Sequence, residues 1–323
     1  MSEPPKSPGE APPPPAVPEH VLVRLIGTGA GGDVWLARSA LGTYRAVKIV
    51  YRKSFSWAKA YEDEFHGLLK FEPLSRQHDG LVDVLQVGGN TGAGYFYYVM
   101  ELADDVLTGP NIDPEKYVPR TLQHDLAGRK RLPVGECIRL GAAIASALHF
   151  LHRQELIHRD VKPANIVFVN GFPKLADAGL VTEMFKTSSW VGTEGFIAPE
   201  GPGTARADIY SLGKVLYQIS TGKNPNEYPE LPAEMGKPAE ERDLVQFSKI
   251  VVKACRTNPL LRYKDADEMM GDLTAFQFHT PMPFEAKNIK LYAGWIGIAA
   301  LLAAIVVVMA LLWHFFEFIL HSN

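Results

Sequence analysis

Three short apolar runs open the main part of the sequence. Residues 21–29, 33–40 and 43–50 are rich in Val and Ile and are separated by turns that contain glycine. Runs of this length and composition are typical of β-strands. We therefore expect a small antiparallel sheet at the start of the folded region.

The later part of the sequence changes its period. Residues 134–154, 207–222 and 241–256 repeat apolar positions at spacings of three and four, which is typical of amphipathic helices. A sheet followed by helices predicts an α+β fold with two lobes, a small β-rich one and a larger helical one. Any ligand is then expected in the cleft between the lobes.

The N-terminal end differs from this folded region. Residues 1–19 hold eight of the 24 prolines and almost no large apolar residue. Such a segment cannot bury enough surface to offset the entropy lost on ordering. We expect a disordered, proline-rich arm.

The C-terminal end contains a long apolar stretch. Residues 291–313 carry no charged side chain, and about 20 apolar residues suffice to cross a bilayer. We interpret 291–313 as one transmembrane helix, preceded by a juxtamembrane linker, 281–290, and followed by a short tail, 314–323.

The charges beside this stretch predict its orientation in the membrane. Lys287 and Lys290 precede it, and no Lys or Arg follows it. The positive-inside rule then places residues 1–290 in the cytoplasm and the C-terminus on the far side of the bilayer. The lipid bilayer is therefore an expected partner.

Composition and charge exclude several other classes. Hydrophobic residues make up 46% of the chain, and 33 Lys and Arg face 36 Asp and Glu, a net charge of -3. A chain of this composition is not wholly disordered, and no nucleic acid partner is expected without a basic field. Cys137 and Cys255 form no CxxC motif, so we expect reduced thiols and neither a disulfide nor a zinc site.

A glycine-rich turn lies between the first two predicted strands. Gly27, Gly29 and Gly32 match the pattern GxGxxG, which by itself also occurs in dinucleotide-binding folds. A dinucleotide site needs a helix directly after the glycines, whereas here the chain continues as a strand from Val34. We therefore predict a hairpin whose backbone covers phosphate groups.

A lysine stands in an otherwise apolar strand. Lys48 follows Ala46 and Val47, and a helical-looking segment begins a few residues later. Glu64 in that segment is the candidate partner of Lys48, with Glu62 as the alternative. A lone strand lysine is more often a solvated edge residue, so the assignment depends on the rest of the sequence.

The segment 158–165, His-Arg-Asp-Val-Lys-Pro-Ala-Asn, carries the strongest signal. With the later run 174–179, it places Asp160, Lys162, Asn165 and Asp177 in a fixed order. These residues supply a base, a cation for phosphate and two oxygen ligands for Mg²⁺. Random surface charge does not produce such an order.

Together with Ala198-Pro199-Glu200, these motifs resemble the eukaryotic-type (Hanks-type) Ser/Thr protein kinase family over roughly 260 residues, and in particular its bacterial membrane-anchored members. The resemblance implies a kinase domain over 20–280, with an N-lobe over 20–101 and a C-lobe over 104–280. It also implies transfer of the ATP γ-phosphate to protein Ser or Thr hydroxyls.

The resemblance assigns roles in catalysis. Asp160 would accept the proton of the substrate hydroxyl, with Lys162 near the γ-phosphate. Lys48, oriented by Glu64, would hold the α- and β-phosphates. Transfer of this kind depends mainly on positioning and on neutralising charge.

The resemblance also assigns the ATP and metal sites. Asn165 and Asp177 would bind Mg²⁺, with Mn²⁺ as a substitute. Met100 matches the gatekeeper position, and Glu101 to Ala103 match the hinge that binds adenine. The nucleotide site as a whole would include Gly27, Thr28, Gly29, Gly32, Val34, Ala46, Lys48, Met100, Glu101, Ala103 and Val167.

Other matches concern regulation and bracing. Lys162 and the pair Gly192-Thr193 resemble Ser/Thr rather than Tyr kinases. Asp208 would brace the catalytic loop, and Arg262 would pair with Glu200. Arg159 would meet a phosphate on the activation loop, for which the candidate sites are Thr182, Thr187, Ser188 and Ser189. A homodimer on the membrane would favour trans-phosphorylation.

The sequence departs from the family pattern in three places. Ala178 replaces the phenylalanine of Asp-Phe-Gly, Phe196 replaces a tyrosine, and residues 104–120 form an insertion after the hinge to which the sequence assigns no function. Two alternatives stay open: a catalytically weak pseudokinase scaffold at the membrane, and a small-molecule phosphotransferase on a related fold.

Overall fold

The computed structural model describes residues 14–29, 31–177, 179, 181–183, 192–233 and 237–276. These residues form the two lobes that the sequence predicts. The small lobe is an antiparallel five-stranded sheet in the order β1-β2-β3-β5-β4, covered by one helix. Its elements are β1 His20–Gly29, β2 Gly32–Ser39, β3 Tyr44–Tyr51, α1 Ala58–Ser75, β4 Val84–Asn90 and β5 Tyr95–Met100.

The large lobe is mainly helical and carries two small two-stranded sheets, β6 with β9 and β7 with β8. Its elements are α2 Leu122–Arg129, α3 Val134–Arg153, β6 Leu156–Ile157, β7 Ile166–Val169, β8 Phe172–Leu175, β9 Thr182–Glu183, α4 Ala205–Thr221, α5 Pro238–Ala254 and α6 Ala266–Thr274. The helices pack through apolar side chains at spacings of three and four, as the sequence pattern requires.

Helix α4 forms the centre of the large lobe. Thr204 begins it by accepting a hydrogen bond from the Ala207 backbone N–H, and Gly222, at φ 74°, ends it in the left-handed conformation. Most of its side chains are buried, so α4 provides a rigid base for the loops that contact it.

Helix α1 packs closely against the segment that follows β8. A Cβ atom at Gly67 would lie 2.1 Å from the Val181 carbonyl oxygen. Glycine is therefore required at this position, because any side chain would push α1 away. The close approach brings Glu64, one turn earlier on α1, towards the cleft.

The described part of the chain begins within the segment 1–19. The sequence interpretation assigned 1–19 to a disordered arm, but Val17 is buried in an apolar cluster with Ala37, Val47 and Tyr97. The His20 N–H also donates to the Val17 carbonyl at 3.1 Å, directly before β1. Residues 1–13 lie outside the described part of the chain.

Within the described residues, α3 is the one helix whose length and composition would suit a membrane span. It packs against α4 and α6, and half of its most apolar stretch is buried, so it is a core helix of the large lobe. The predicted linker 281–290, the predicted span 291–313 and the predicted tail 314–323 lie outside the described residues.

Candidate active site

The register of the small sheet gathers several predicted residues on one face. Val34 lies opposite Lys48, Lys48 lies opposite Tyr98, and Ala46 lies opposite Met100. Residues paired directly across antiparallel strands project to the same face, and residues two apart on one strand do so too. The sheet therefore presents all five side chains towards the large lobe.

The glycine-rich turn is a hairpin between β1 and β2. Gly27 pairs with Val34, Thr28 with Asp33 and Gly29 with Gly32. Gly32 has φ 116°, and a Cβ there would lie 2.2 Å from the Ile49 carbonyl oxygen. Glycine is thus required at this position.

The same hairpin passes directly over Lys48. A Cβ at Gly31, a glycine that the sequence analysis did not select, would lie 2.9 Å from Lys48 Nζ. The absence of a side chain at Gly31 lets the backbone approach the ammonium group. This is the close approach that a phosphate-covering loop needs.

Lys48 forms an ion pair with Asp177. Lys48 Nζ lies 2.5 Å from Asp177 Oδ1, and the Gly179 N–H donates to the same oxygen at 3.2 Å. Burial opposes ionisation of both Lys48 and Asp177, but the attraction between the two opposite charges stabilises both ionised forms. The pKa of Asp177 is lowered to about 2 and that of Lys48 is raised, so both groups are ionised at neutral pH.

Glu64 lies beside this pair without joining it. Its side chain is buried on α1, whereas Glu62, the alternative partner, is exposed. Glu64 Oε1 accepts no hydrogen bond from the described part of the chain, and burial raises the pKa of this carboxyl to about 8. Within the described residues, the expected Lys48–Glu64 ion pair is replaced by the Lys48–Asp177 pair, because Asp177 lies nearer to the ammonium group.

The catalytic-loop residues form one hydrogen-bonded cluster. Asn165 Nδ2 donates to Asp160 Oδ2 at 2.8 Å, and Lys162 Nζ lies 2.7 Å from the same oxygen. Thr193 Oγ1 donates to Asp160 Oδ1 at 2.8 Å and accepts from Lys162 Nζ at 2.7 Å. Asp160 is thereby fixed in orientation from three sides.

Asp208 supports this loop from α4. Its carboxylate accepts hydrogen bonds from the backbone N–H groups of His158 and Arg159, both at 2.8 Å, and lies 2.9 Å from His152 Nε2. Arg159 has φ 71°, which is uncommon for a residue with a side chain. The predicted bracing role of Asp208 is confirmed, since its hydrogen bonds hold this unfavourable backbone in place.

The hinge after β5 presents its backbone to the cleft. Among the described residues, neither the Glu101 carbonyl nor the Ala103 N–H has a hydrogen-bond partner. The Glu101 carboxylate instead accepts from Lys174 Nζ at 2.5 Å and from the Asp83 N–H at 2.9 Å. Glu101 therefore offers a ligand its backbone rather than its charge, and Val167 on β7 lies half-buried across the cleft.

The segment before α4 is attached to the large lobe. Arg262 forms a bidentate pair with Glu200, at 2.6 Å and 2.7 Å, which confirms the predicted contact. Thr182, one candidate phosphorylation site, lies on β9 opposite Ile157. The other three, Thr187, Ser188 and Ser189, lie outside the described residues.

The donor atoms fit a hard divalent cation. Asn165 donates through its amide nitrogen, which leaves its Oδ1 free to bind a metal, and Asp177 supplies a carboxylate. Oxygen atoms of this kind suit Mg²⁺ or Mn²⁺, which take their remaining ligands from phosphates and water. Within the described residues, no group of three or more His, Cys, Asp or Glu side chains is arranged to hold a metal without such help.

Sequence reasoning missed the structural roles of Thr193 and Tyr98. Thr193 was recognised only as a marker of the Ser/Thr class, although it contacts Asp160 and Lys162. Tyr98 is fully buried, and its hydroxyl oxygen lies 3.5 Å from Asp177 Oδ1. Its position two residues before Met100 on a strand was a signal that it faces the cleft.

This two-lobed fold, with a glycine hairpin, a buried lysine and a clustered aspartate facing one cleft, defines a phosphotransferase of the protein kinase class. The sequence profile of the family described as "Protein kinase domain" matches residues 20–270. The chain belongs to the protein kinase family, as the motifs indicated. The family implies ATP and a divalent cation as cofactors.

Curated relatives agree with this assignment. The chain is 29% identical to the serine/threonine-protein kinase PknB of Mycobacterium leprae, over 86% of this chain and 46% of the relative. It is 28% identical to the serine/threonine-protein kinase PrkC of Bacillus subtilis, over 80% of this chain and 40% of the relative. The serine/threonine-protein kinase PknL of Mycobacterium tuberculosis is 33% identical, over 50% of this chain and 46% of its own length. The chain thus spans less than half the length of these relatives.

Proposed function

We propose that this protein is an ATP-dependent protein kinase that transfers the γ-phosphate to Ser or Thr hydroxyls of protein substrates. The observation that supports this proposal is the hydrogen-bonded cluster in which Asn165, Lys162 and Thr193 fix the orientation of Asp160. A fixed carboxylate can accept a hydroxyl proton as the oxygen attacks. The names of the curated relatives support the Ser/Thr class.

Each site residue has a task in this proposal. Asp160 receives the proton of the substrate hydroxyl, and Lys162 neutralises negative charge on the γ-phosphate. Lys48 binds the phosphates below the glycine hairpin. Asn165 and Asp177 would hold Mg²⁺, whose charge, when the ion is bound with ATP, stabilises the negative oxygens of the transferred group.

The free backbone groups of the hinge support adenine binding. The Ala103 N–H and the Glu101 carbonyl are one donor and one acceptor with no protein partner among the described residues. The adenine ring presents an acceptor for this N–H and a donor for this carbonyl along one edge. The adenine ring would be enclosed by Val34, Ala46 and Met100 on the small-lobe side and by Val167 on the large-lobe side.

Phosphate transfer tests the proposal directly. Full-length protein in detergent, with ATP and Mg²⁺, is expected to label a generic basic protein, whereas Lys48→Met and Asp160→Asn are expected to label it at least about 100-fold more slowly. Nucleotide binding by the wild type without transfer would favour the pseudokinase scaffold instead. Transfer to small alcohols but not to proteins would favour the small-molecule phosphotransferase.

We also propose that residues 291–313 anchor the kinase to a membrane, with residues 1–290 in the cytoplasm. The support is the uncharged composition of this stretch and the placement of Lys287 and Lys290 before it. Two arginines near its centre, Leu302→Arg with Ile305→Arg, should release the protein from the membrane fraction, because each costs about 3 kcal/mol there. Leu260→Arg, at an exposed position of the kinase domain, is the matched control and should leave the fractionation unchanged.

Autophosphorylation is the third part of the proposal. Membrane anchoring raises the effective concentration of one copy for another, which favours a transient homodimer and trans-phosphorylation. The acceptors would be Thr182, Thr187, Ser188 or Ser189, with Arg159 as a cationic partner of the phosphate. Labelling in vesicles should then fall as the protein is diluted over more lipid, and a rate independent of surface density would contradict the trans reaction.

A further inference from the structure

Residues 104–120, which the sequence analysis left without a function, form an ordered loop that we call the strap. One carboxylate closes it: Asp105 Oδ1 accepts from the N–H groups of Leu107 and Thr108, at 2.8 Å and 2.9 Å, and Asp105 Oδ2 accepts from the Val118 N–H at 2.8 Å. At the base of the loop, the Arg120 N–H donates to the Asp104 carbonyl at 2.8 Å. The strap is therefore held in one shape by its own residues.

The strap is attached to the hinge through Tyr117. The Tyr117 ring is fully buried, and its hydroxyl donates to the Ala103 carbonyl at 3.1 Å. A buried tyrosine hydroxyl that lacks a partner is unfavourable, so this contact fixes the strap on the hinge. The contact uses the carbonyl of Ala103 and does not occupy its N–H.

The strap is attached to the small lobe through Arg24. This residue lies on β1, and its Nε donates to the Pro114 carbonyl at 3.2 Å while its Nη2 donates to the Tyr117 carbonyl. The same strand carries Gly27 and Gly29 a few residues later. One guanidinium group thus connects the strand of the glycine hairpin to a loop that is fixed on the hinge.

We propose that the strap holds β1 in register over the hinge, and that Arg24 and Tyr117 are positioning residues for the nucleotide. The inference rests on the proposed function, since it concerns the binding of ATP in the same cleft. Release of a nucleotide from a two-lobed cleft requires β1 and the hinge to separate. The contacts of Arg24 and Tyr117 oppose that separation, so the strap slows nucleotide release and lowers the KM for ATP.

The atoms that carry out transfer are not touched by the strap. Asp160, Lys162 and Asn165 make their contacts within the large lobe. Loss of a strap contact should therefore change the KM for ATP and the dissociation rate of nucleotide, and leave kcat within about twofold. If the strap only stabilised the fold, its loss would not change the KM for ATP and the dissociation rate while leaving kcat almost unchanged.

The test measures dissociation of a fluorescent ATP analogue from the full-length protein in detergent. Arg24→Ala and Tyr117→Phe are expected to dissociate about 10-fold faster, because each variant loses a hydrogen bond that holds the cleft closed. Arg24→Lys, which keeps a charged donor, should recover part of the effect. Arg38→Ala, which removes an exposed arginine from the neighbouring strand β2, is the matched control and should behave as the wild type.

Hydrogen exchange gives a second readout that needs no nucleotide. The amides of residues 21–29 should exchange faster in Arg24→Ala and Tyr117→Phe than in the wild type and in Arg38→Ala. Unchanged dissociation in Arg24→Ala, a loss confined to kcat, or unchanged exchange in β1 would each overturn the strap proposal. A wild type that binds no nucleotide would instead overturn the proposed function, while the exchange data would still decide whether the strap holds β1.

Discussion

Thr193 and Asp160 are 33 positions apart in the chain, yet Thr193 Oγ1 donates a 2.8 Å hydrogen bond to Asp160 Oδ1. The same hydroxyl accepts from Lys162 Nζ. The segment that precedes α4 thus reaches back to the catalytic loop. The position of Asp160 depends on a residue outside the motif that contains it.

Removal of this hydroxyl should impair transfer more than nucleotide binding. Thr193→Ala is expected to lower kcat by about 10- to 100-fold, because Asp160 and Lys162 lose their shared partner and their orientation loosens. Thr193→Ser keeps the hydroxyl and should retain most of the activity. Steady-state kinetics with varied ATP would measure kcat and the KM for ATP of both variants. Equal kcat values for Thr193→Ala and the wild type would contradict this role of Thr193.

Asp208 should be required for stability as well as for activity. Asp208→Ala leaves the backbone N–H groups of His158 and Arg159 without their buried acceptor, which we expect to cost roughly 3 kcal/mol or more. Unfolding by denaturant, followed by circular dichroism, measures the loss. A change below about 1 kcal/mol would mean that the catalytic loop is held by other contacts.

The Arg262–Glu200 pair, in which the arginine is buried, should contribute far more to stability than a similar pair with an exposed arginine. The Arg262 side chain has no solvent exposure, and besides Glu200 it donates to the backbone carbonyls of Arg206, Arg256 and Thr257. Its loss leaves these carbonyls without their donor, at an expected cost of about 3 kcal/mol or more. Arg129, which pairs with Glu136 in the same bidentate geometry, is 45% exposed. Arg129→Met should therefore cost at most about 1 kcal/mol. Equal losses of stability for Arg262→Met and Arg129→Met would show that burial of the arginine does not matter.

Asp105 should make the strap sensitive to acid. Burial opposes its ionisation, but the N–H groups of Val118, Thr108 and Leu107 lower its pKa to about 2. The unfolded value is about 3.9, so its contribution to stability is present above that pH and is lost as the pH falls towards 2. The stability of wild type should fall over that interval relative to Asp105→Asn, which does not titrate.

Asp105→Asn should also be less stable than the wild type at neutral pH, by about 1–3 kcal/mol, because an amide cannot accept all of these hydrogen bonds. Denaturant unfolding of both proteins from neutral pH to pH 2 would show the two curves approaching each other in acid. Parallel curves would indicate that Asp105 keeps its charge throughout or does not hold the strap.

The sequence predicted the parts of this protein that depend on local pattern. The first strands followed from short runs rich in Val and Ile, and the helices followed from apolar spacings of three and four. The pairing of Arg262 with Glu200 followed from the resemblance. Of the two candidate partners of Lys48, Glu64 is the buried one and Glu62 is exposed, although Lys48 pairs with Asp177. These features depend on few neighbours, or on motifs of fixed spacing.

Other features could not be predicted from the sequence because they are formed by segments that are far apart in the chain. Nothing near Lys48 in the chain indicates that Asp177, rather than Glu64, lies within 2.5 Å of it. The contacts of Arg24 with the Pro114 and Tyr117 carbonyls use backbone atoms, which leave no trace in side-chain pattern. The strap was therefore visible in the sequence as an insertion but not as a connection.

Mass spectrometry of the phosphate that the full-length protein incorporates from ATP and Mg²⁺, beside Asp160→Asn, tests the proposed kinase activity. We expect phosphate on Ser and Thr residues of the protein or of an added protein substrate, and none with Asp160→Asn. Phosphate on tyrosine alone, equal incorporation by both proteins, or no incorporation by a folded wild type that binds nucleotide would contradict it.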